Sequence, residues 1–152
     1  MATFESRFTA MMKSFAKKQI GTCVGVAATS LQHMVRIEAA DARGIITCCS
    51  CGTTQHYKRA DGGHFIPRGH WATVLDERNV NPQCKYCNRF PTADTLIRYT
   101  AWMVKTYGQD VVDELQRLKK THRKWTKEEL VYERIGFIDR IKAAEQRLQD
   151  VS

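Results

Sequence analysis

Two Cys-x-x-Cys pairs, Cys48/Cys51 and Cys84/Cys87, constrain this chain more than any other feature. Each pair puts two thiolates on one tight turn, and two such turns complete a tetrahedral four-sulfur site for Zn2+. Four thiolates leave no open coordination position, so the expected zinc is structural and any chemistry lies on other residues. The register of the first pair is ambiguous because Cys49 also precedes Cys51. The Cys49-x-Cys51 spacing is too short for the usual knuckle, which makes Cys48 the expected ligand. A thioredoxin-type redox pair would sit among alternating strands and helices, and that alternation is missing here. Cys23 has no partner at ligand spacing and reads as a small buried apolar residue.

The need for a metal follows from what surrounds it. Residues 48–91 hold four of the nine Gly, all three Pro, five of the six Cys and three of the five His. So loop-rich a stretch has too little apolar mass to hold itself and needs a staple. Residues 1–47 read as helical, with Phe4, Phe8, Met11 and Phe15 at three-to-four spacing. Gly21 and Gly25 are expected to interrupt this pattern. A second helix is expected from about Ala27 to Arg43, stopped by Gly44, with Ile45-Ile46-Thr47 as a short strand. Residues 92–152 return to helix: one through Leu96–Tyr107 closed by Gly108, one through Val111–Leu118, and a long third. Thr126 and Glu129 form a capping box for that last helix. The expected fold is α+β, a small zinc-braced centre flanked by N-terminal and C-terminal helices. At 152 residues it makes one compact domain.

Charge narrows the partner. There are 24 Lys+Arg against 16 Asp+Glu, a formal charge of +8, which favours an anionic partner, nucleic acid first. Five basic residues, Arg117, Lys119, Lys120, Arg123 and Lys124, fall within eight positions without an acid; they suit a phosphate backbone or a solvated face equally. The basic residues Arg7, Lys13, Lys17 and Lys18 leave the first helix two readings: packing on the core or contacting DNA. No apolar run approaches the roughly 20 residues of a membrane span. Glu5 and a broken apolar pattern are unlike a secretory signal, so a reducing cytosolic location is expected.

Between the knuckles lie Gly63-His64-Phe65-Ile66-Pro67 and Asn79, and Asn88 follows the second knuckle. A His in a short strand, an Asn some way on and a further Asn after a Cys-x-x-Cys resembles the HNH nucleases, in an H-N-N variant. That resemblance implies a ββα core around one catalytic metal, often braced by a four-cysteine zinc site. The longer string resembles the phage NinG (Rap) recombination-protein family over about residues 45–130. It comprises Gly63 to Gly69, Asp76 to Cys84, Cys87-Asn88 and Tyr107-Gly108. The family implies a structure-selective endonuclease acting on branched recombination intermediates, Holliday junctions or D-loops, in the cytoplasm of a bacterial host. Two departures stand out. Many HNH sites carry Asp or His just before the catalytic His, where this chain has Gly63. The family's Ser-Gly-Asn after the second knuckle is replaced by Thr92-Ala93-Asp94.

Roles follow from this layout. His64, neutral near pH 7, suits a general base, with its other ring nitrogen donating to a backbone carbonyl and its proton lost near neutrality. Asn79 would pin the connecting loop and so orient His64. Asn88 would reach a divalent ion, or else cap a helix. Mg2+ or Mn2+ wants oxygen ligands, for which Asp94 and Asp61 are the first choices, with Asp76, Glu77 and His70 behind them. Arg68, Lys85 and Arg89 are placed to meet phosphates. Phe65 and Trp71 are expected to pack under the hairpin. Symmetric cutting of a four-way junction suggests a homodimer, with the long C-terminal helix as its interface, and other recombination proteins are possible partners. The alternative is a non-catalytic zinc module that binds DNA or bridges recombination proteins.

Overall fold

The computed structural model describes residues 1–151; Ser152, the last residue of the expected C-terminal helical region, lies outside them. The first helix, α1 (Phe4–Ala16), starts where the Thr3 hydroxyl accepts the Ser6 N–H. It packs on the core: Phe15 is buried and Phe8, Met11 and Met12 lie against it. Arg7 is held by Asp139 at 2.6 Å.

The second helix, α2 (Ile20–Ala39), corrects the reading of its glycines: Gly21 and Gly25 sit inside it and do not interrupt it. Glycine costs a helix about 1 kcal/mol per position. One stripe of α2, Cys23, Val24, Ala27, Ala28, Leu31, Met34 and Ile37, is fully buried. Each large apolar side chain in such a stripe contributes about 1.5–3 kcal/mol, which outweighs the glycines. The helix stops at Ala39, short of Gly44, because Asp41 takes over the backbone there. Its carboxylate accepts the N–H groups of Arg43 and Ile45, and Gly44 closes the turn at φ 77°.

Two small antiparallel hairpins follow. Strand β1 (Ile45–Thr47), as expected, pairs with β2 (Thr54–His56), and β3 (Ala60–His64) pairs with β4 (Val80–Cys84), placing His64 opposite Val80. A short helix, α3 (Lys85–Arg89), leaves directly from the end of β4. Then come α4 (Ala93–Tyr107), ended by Gly108 at φ 94°, α5 (Gln109–Lys119) and α6 (Lys127–Asp150). The Thr126/Glu129 capping box at the start of α6 is present in both directions.

Two apolar clusters clamp the β3–β4 hairpin. On one side α2 and α6 form the main core, to which α6 contributes Leu130, Val131, Ile135, Phe137, Ile141 and Ala144. That stripe lies against α1 and α2 of the same chain. On the other side Phe65, Ile66, Tyr99, Met103, Val112 and Leu115 gather α4 and α5 against the hairpin. Close approach of α2 explains Gly62, where a Cβ would sit 2.6 Å from the Gln32 Cα. Among the described residues no helix is long and apolar enough to cross a membrane.

Candidate functional site

The four cysteines of the two knuckles converge. The sulfurs of Cys48, Cys51, Cys84 and Cys87 all lie within 4.8 Å of one another. The chain delivers them from two hairpin ends: Cys48 follows β1 and Cys84 closes β4. Within each knuckle the first sulfur accepts a backbone N–H, Cys51 N–H to Cys48 at 3.5 Å and Cys87 N–H to Cys84 at 3.4 Å. Burial and the neighbouring sulfurs hold the Cys84 and Cys87 thiols above their usual range. Four thiolates crowded this way repel unless a cation sits among them, so the donor set fits a metal such as zinc. The register is also decided. Cys49 points into the apolar cluster beside Phe65 and Tyr99, and burial, with the charge of Cys48, pushes its thiol up to about 12. The expected buried role of Cys23 holds as well, with no exposure at all.

His64 ends β3 at the rim of a cleft of about 620 Å³, lined also by Gln32, Arg68, Gln83, Asn88, Thr92 and Tyr99. Its Nε2 lies 2.9 Å from the carbonyl oxygen of Val74. A carbonyl only accepts, so Nε2 carries the proton and Nδ1 keeps its lone pair. Nδ1 is buried without a protein partner. Burial pushes the imidazole down to about 4; the Arg68 charge adds to this and the Val74 bond opposes it. The ring is therefore neutral far below the neutral pH at which the sequence reading placed its proton loss.

Asn79, with no exposed surface, holds the loop that carries the Val74 carbonyl. Its Oδ1 accepts the Ile66 N–H at 2.7 Å, and its Nδ2 donates to the carbonyls of Ile66 and Thr73, both at 3.0 Å. Asn88 lies inside α3, whose N-cap is Cys84, so it does not cap that helix; its Nδ2 donates to Asp61 at 3.0 Å.

A family model described as Bacteriophage Lambda NinG protein matches residues 3–147. The chain belongs to the NinG family. Protein ninG of Salmonella phage P22 is 34% identical over 85 residues, 55% of this chain and 40% of the phage P22 protein. The chain thus spans less than half the length of the curated relative it matches. No solved structure matches it.

For this NinG-family chain the departure at Gly63 has a steric cause. A Cβ there would meet the Gln83 Oε1 at 2.0 Å. Gln83 is anchored from its other end, its Nε2 donating to the Ser50 hydroxyl of the first knuckle at 2.8 Å. The space an acid would take at position 63 is filled by this amide.

The carboxylates do not gather as expected. Among the described residues the four cysteines are the one group of three or more Cys, His, Asp or Glu within ligand distance. Asp94 is exposed on the first turn of α4 and pairs with Arg98 at 2.9 Å, because the i, i+4 spacing brings that guanidinium over it. Asp76 is taken by Arg78 at 2.7 Å, and Glu77 by Arg140. Asp61 remains beside Asn88, and shares its carboxylate with Arg89 at 3.2 Å. His70 lies in the loop after Pro67, outside any such group.

The basic residues divide. Arg68 donates to the Gly25 carbonyl at 3.0 Å, and Arg123 stacks 4.2 Å over the Trp125 ring while pairing with Glu129. Lys85, Lys119, Lys120 and Lys124 are exposed and in no ion pair among the described residues. Phe65 is buried edge-on to Tyr99, in the cluster against the hairpin as expected, whereas Trp71 packs against the main core beside Gly21 of α2.

Several residues escaped the sequence reading. Gln32 of α2 donates to the Gly62 carbonyl at 2.6 Å, Tyr99 of α4 donates to the Gly63 carbonyl at 2.6 Å, and Asn81 receives the Tyr107 hydroxyl at 2.8 Å. The available signal was Asn81 and Gln83 alternating inside a strand whose neighbours are apolar or Pro. Polar residues there need partners when buried.

Proposed function

We propose that this chain is a structure-selective DNA endonuclease that hydrolyses phosphodiester bonds in branched recombination intermediates such as Holliday junctions and D-loops. The observation that carries the reading is the His64 ring in the lining of the cleft: neutral, its tautomer set by the Val74 carbonyl, its Nδ1 lone pair buried and unpartnered. The phage recombination-associated family supports the substrate class. The succession β3, β4, α3, with His64 on the first strand and Asn88 on the helix, has the order of an HNH ββα unit.

Once substrate binding uncovers it, the buried His64 Nδ1 takes the proton of the attacking water, whose oxygen bonds to phosphorus as the P–O bond to the leaving oxygen breaks. Burial is the main cause of the ring's low proton affinity, and a phosphate arriving beside Arg68 offsets the smaller contribution of that charge. Asn79 holds the 66–73 loop and with it the Val74 acceptor. Asp61 and Asn88 offer the hard oxygen donors that would hold Mg2+ or Mn2+. Such an ion supplies charge relief at the phosphate and at the leaving oxygen. The four-cysteine site takes structural zinc. Lys85, Lys119, Lys120 and Lys124 meet the phosphate backbone. Paired cuts across a junction need two active sites, which a homodimer in the host cytoplasm would provide through a surface other than the buried face of α6.

A second reading, a zinc module that binds DNA without cutting it, draws on the Arg89 ion pair that occupies Asp61. One experiment separates the two. Single-turnover cleavage of a labelled four-way junction is measured with Mg2+ or Mn2+ for the parent and His64→Ala. The nuclease reading expects a loss on the order of 10²–10⁴-fold with junction binding retained. If the parent binds the junction and leaves it whole, the binding-module reading replaces it.

A further inference from the structure

Among the described residues two ring pairs have both members exposed, Phe4 with Tyr132 and Tyr86 with Phe90, and the second is the more exposed. Tyr86 and Phe90 are 71% and 64% exposed, their rings lie 5.8 Å apart, and they are four residues apart, Tyr86 on α3 and Phe90 as its C-cap. Two large rings left together in water are unlike the scattered single apolar residues of an ordinary surface. Leu96 and Ile97, 54% and 67% exposed on α4, extend the apolar character of this end of the chain. Cations are interleaved with the rings: Lys85 precedes Tyr86, Arg89 precedes Phe90, and Arg98 lies on α4, all exposed. The helix is firmly seated, since its N-cap is the Cys84 sulfur and Cys87 belongs to the cysteine cluster. Its remaining residue, Asn88, lines the His64 cleft.

We propose that Tyr86 and Phe90 form a stacking platform for unpaired or unstacked nucleobases, and that it confers the preference for branched over linear DNA. The proposal rests on the nuclease reading above for its substrate and deepens it. Flat, exposed rings beside cations match a base and its phosphate together, whereas an apolar protein surface would leave Lys85, which is in no ion pair among the described residues, to be desolvated without a partner. Inside a duplex the base faces are covered by their neighbours. They are offered at single-stranded segments and at the centre of a branch. A base held on this platform sits on the same five-residue helix as Asn88, which brings the branch point beside the cleft.

The test measures binding, with Ca2+ in place of Mg2+ or Mn2+, to single-stranded, forked, four-way and linear duplex DNA. The forked and four-way substrates carry 2-aminopurine at the branch. For the full chain with Tyr86→Ala and Phe90→Ala together, affinity for forked and single-stranded DNA should fall roughly 10–100-fold, by the usual worth of a stacked base. Binding to linear duplex and the melting temperature should stay at the parent's values. Tyr86→Trp with Phe90→Trp should keep the preference and the 2-aminopurine quenching. Unchanged fork binding in the Ala variant, or equal losses on fork and duplex, would overturn the platform; so would loss of self-association in its place, which would assign the rings to a protein contact. Failure of this proposal is distinct from failure of the nuclease reading. A parent that never cuts but loses fork preference in the Ala variant keeps the platform, and one that cuts the junction with unchanged selectivity in the Ala variant loses it.

Discussion

Asn79→Ala tests how the loop around the candidate base is held. The side chain is fully buried and makes three hydrogen bonds, to the Ile66 N–H and to the carbonyls of Ile66 and Thr73. Removing the amide leaves one donor and two acceptors in a site where Ile66 and Thr73 are buried. Each orphaned group costs about 1–3 kcal/mol. Neighbouring groups relax together, so the sum falls short of additivity and a loss of about 3–5 kcal/mol is expected. For a chain of this size that is a drop in Tm of roughly 6–20 °C, with a folded protein still recoverable at low temperature. Asn79→Asp sharpens the test. Its carboxylate keeps the acceptor for the Ile66 N–H but turns an oxygen toward two carbonyls, so at pH 7 it should be at least as damaging as alanine. Burial raises the pKa of that carboxyl, and the protonated form can donate, so relative to the parent the aspartate variant should recover stability as pH falls while the alanine variant does not. Urea unfolding at pH 7.5 and pH 5 reads both effects, and cleavage by the folded fraction should drop further because the Val74 acceptor of His64 shifts. An alanine variant within about 1 kcal/mol of the parent would refute the claim that Asn79 pins the loop.

Three further outcomes follow from the same geometry. Cys48→Ser should release about one zinc per chain and loosen the central hairpins, since metal binding there is folding energy, whereas Cys49→Ser should keep its zinc; elemental analysis of the two variants decides it. Because the His64 pKa is lowered from 6.5 to about 4 in the folded chain, the unfolded chain takes up that proton first. The parent should therefore lose about 3 kcal/mol as pH falls from 6.5 to 4, a slope that His64→Gln removes; equal slopes in urea titrations would contradict the buried neutral ring. Gly63→Asp, which gives the chain the acid common before an HNH histidine, should cut less than the parent, because the new side chain collides with Gln83; higher single-turnover rates would show that the amide yields.

The pattern of residues determined a good deal of this. Knuckle spacing brought Cys48, Cys51, Cys84 and Cys87 together because a Cys-x-x-Cys turn leaves its sulfurs few other directions. The periodicity of α4 to α6, the Gly108 stop and the Thr126/Glu129 box were legible because they are local, set by neighbours within one helical turn. The roles of Gly21 and Gly25 were not, since their helix is held by a stripe buried against α6, more than 90 residues away in the chain. Partner choice was beyond local reading only where the partners are distant in the chain. Asp94 with Arg98 and Asp76 with Arg78 are pairs four and two residues apart, whereas Asp61 meets Asn88 and Arg89 only once the hairpin and α3 are placed. The pKa of His64 followed the same rule: its residue type sets an imidazole near 6.5, and burial in the folded chain moves it. Residue identity and short spacing decided what each group can do, and long-range packing decided which groups meet, because desolvation and pairing depend on neighbours that the chain order does not specify.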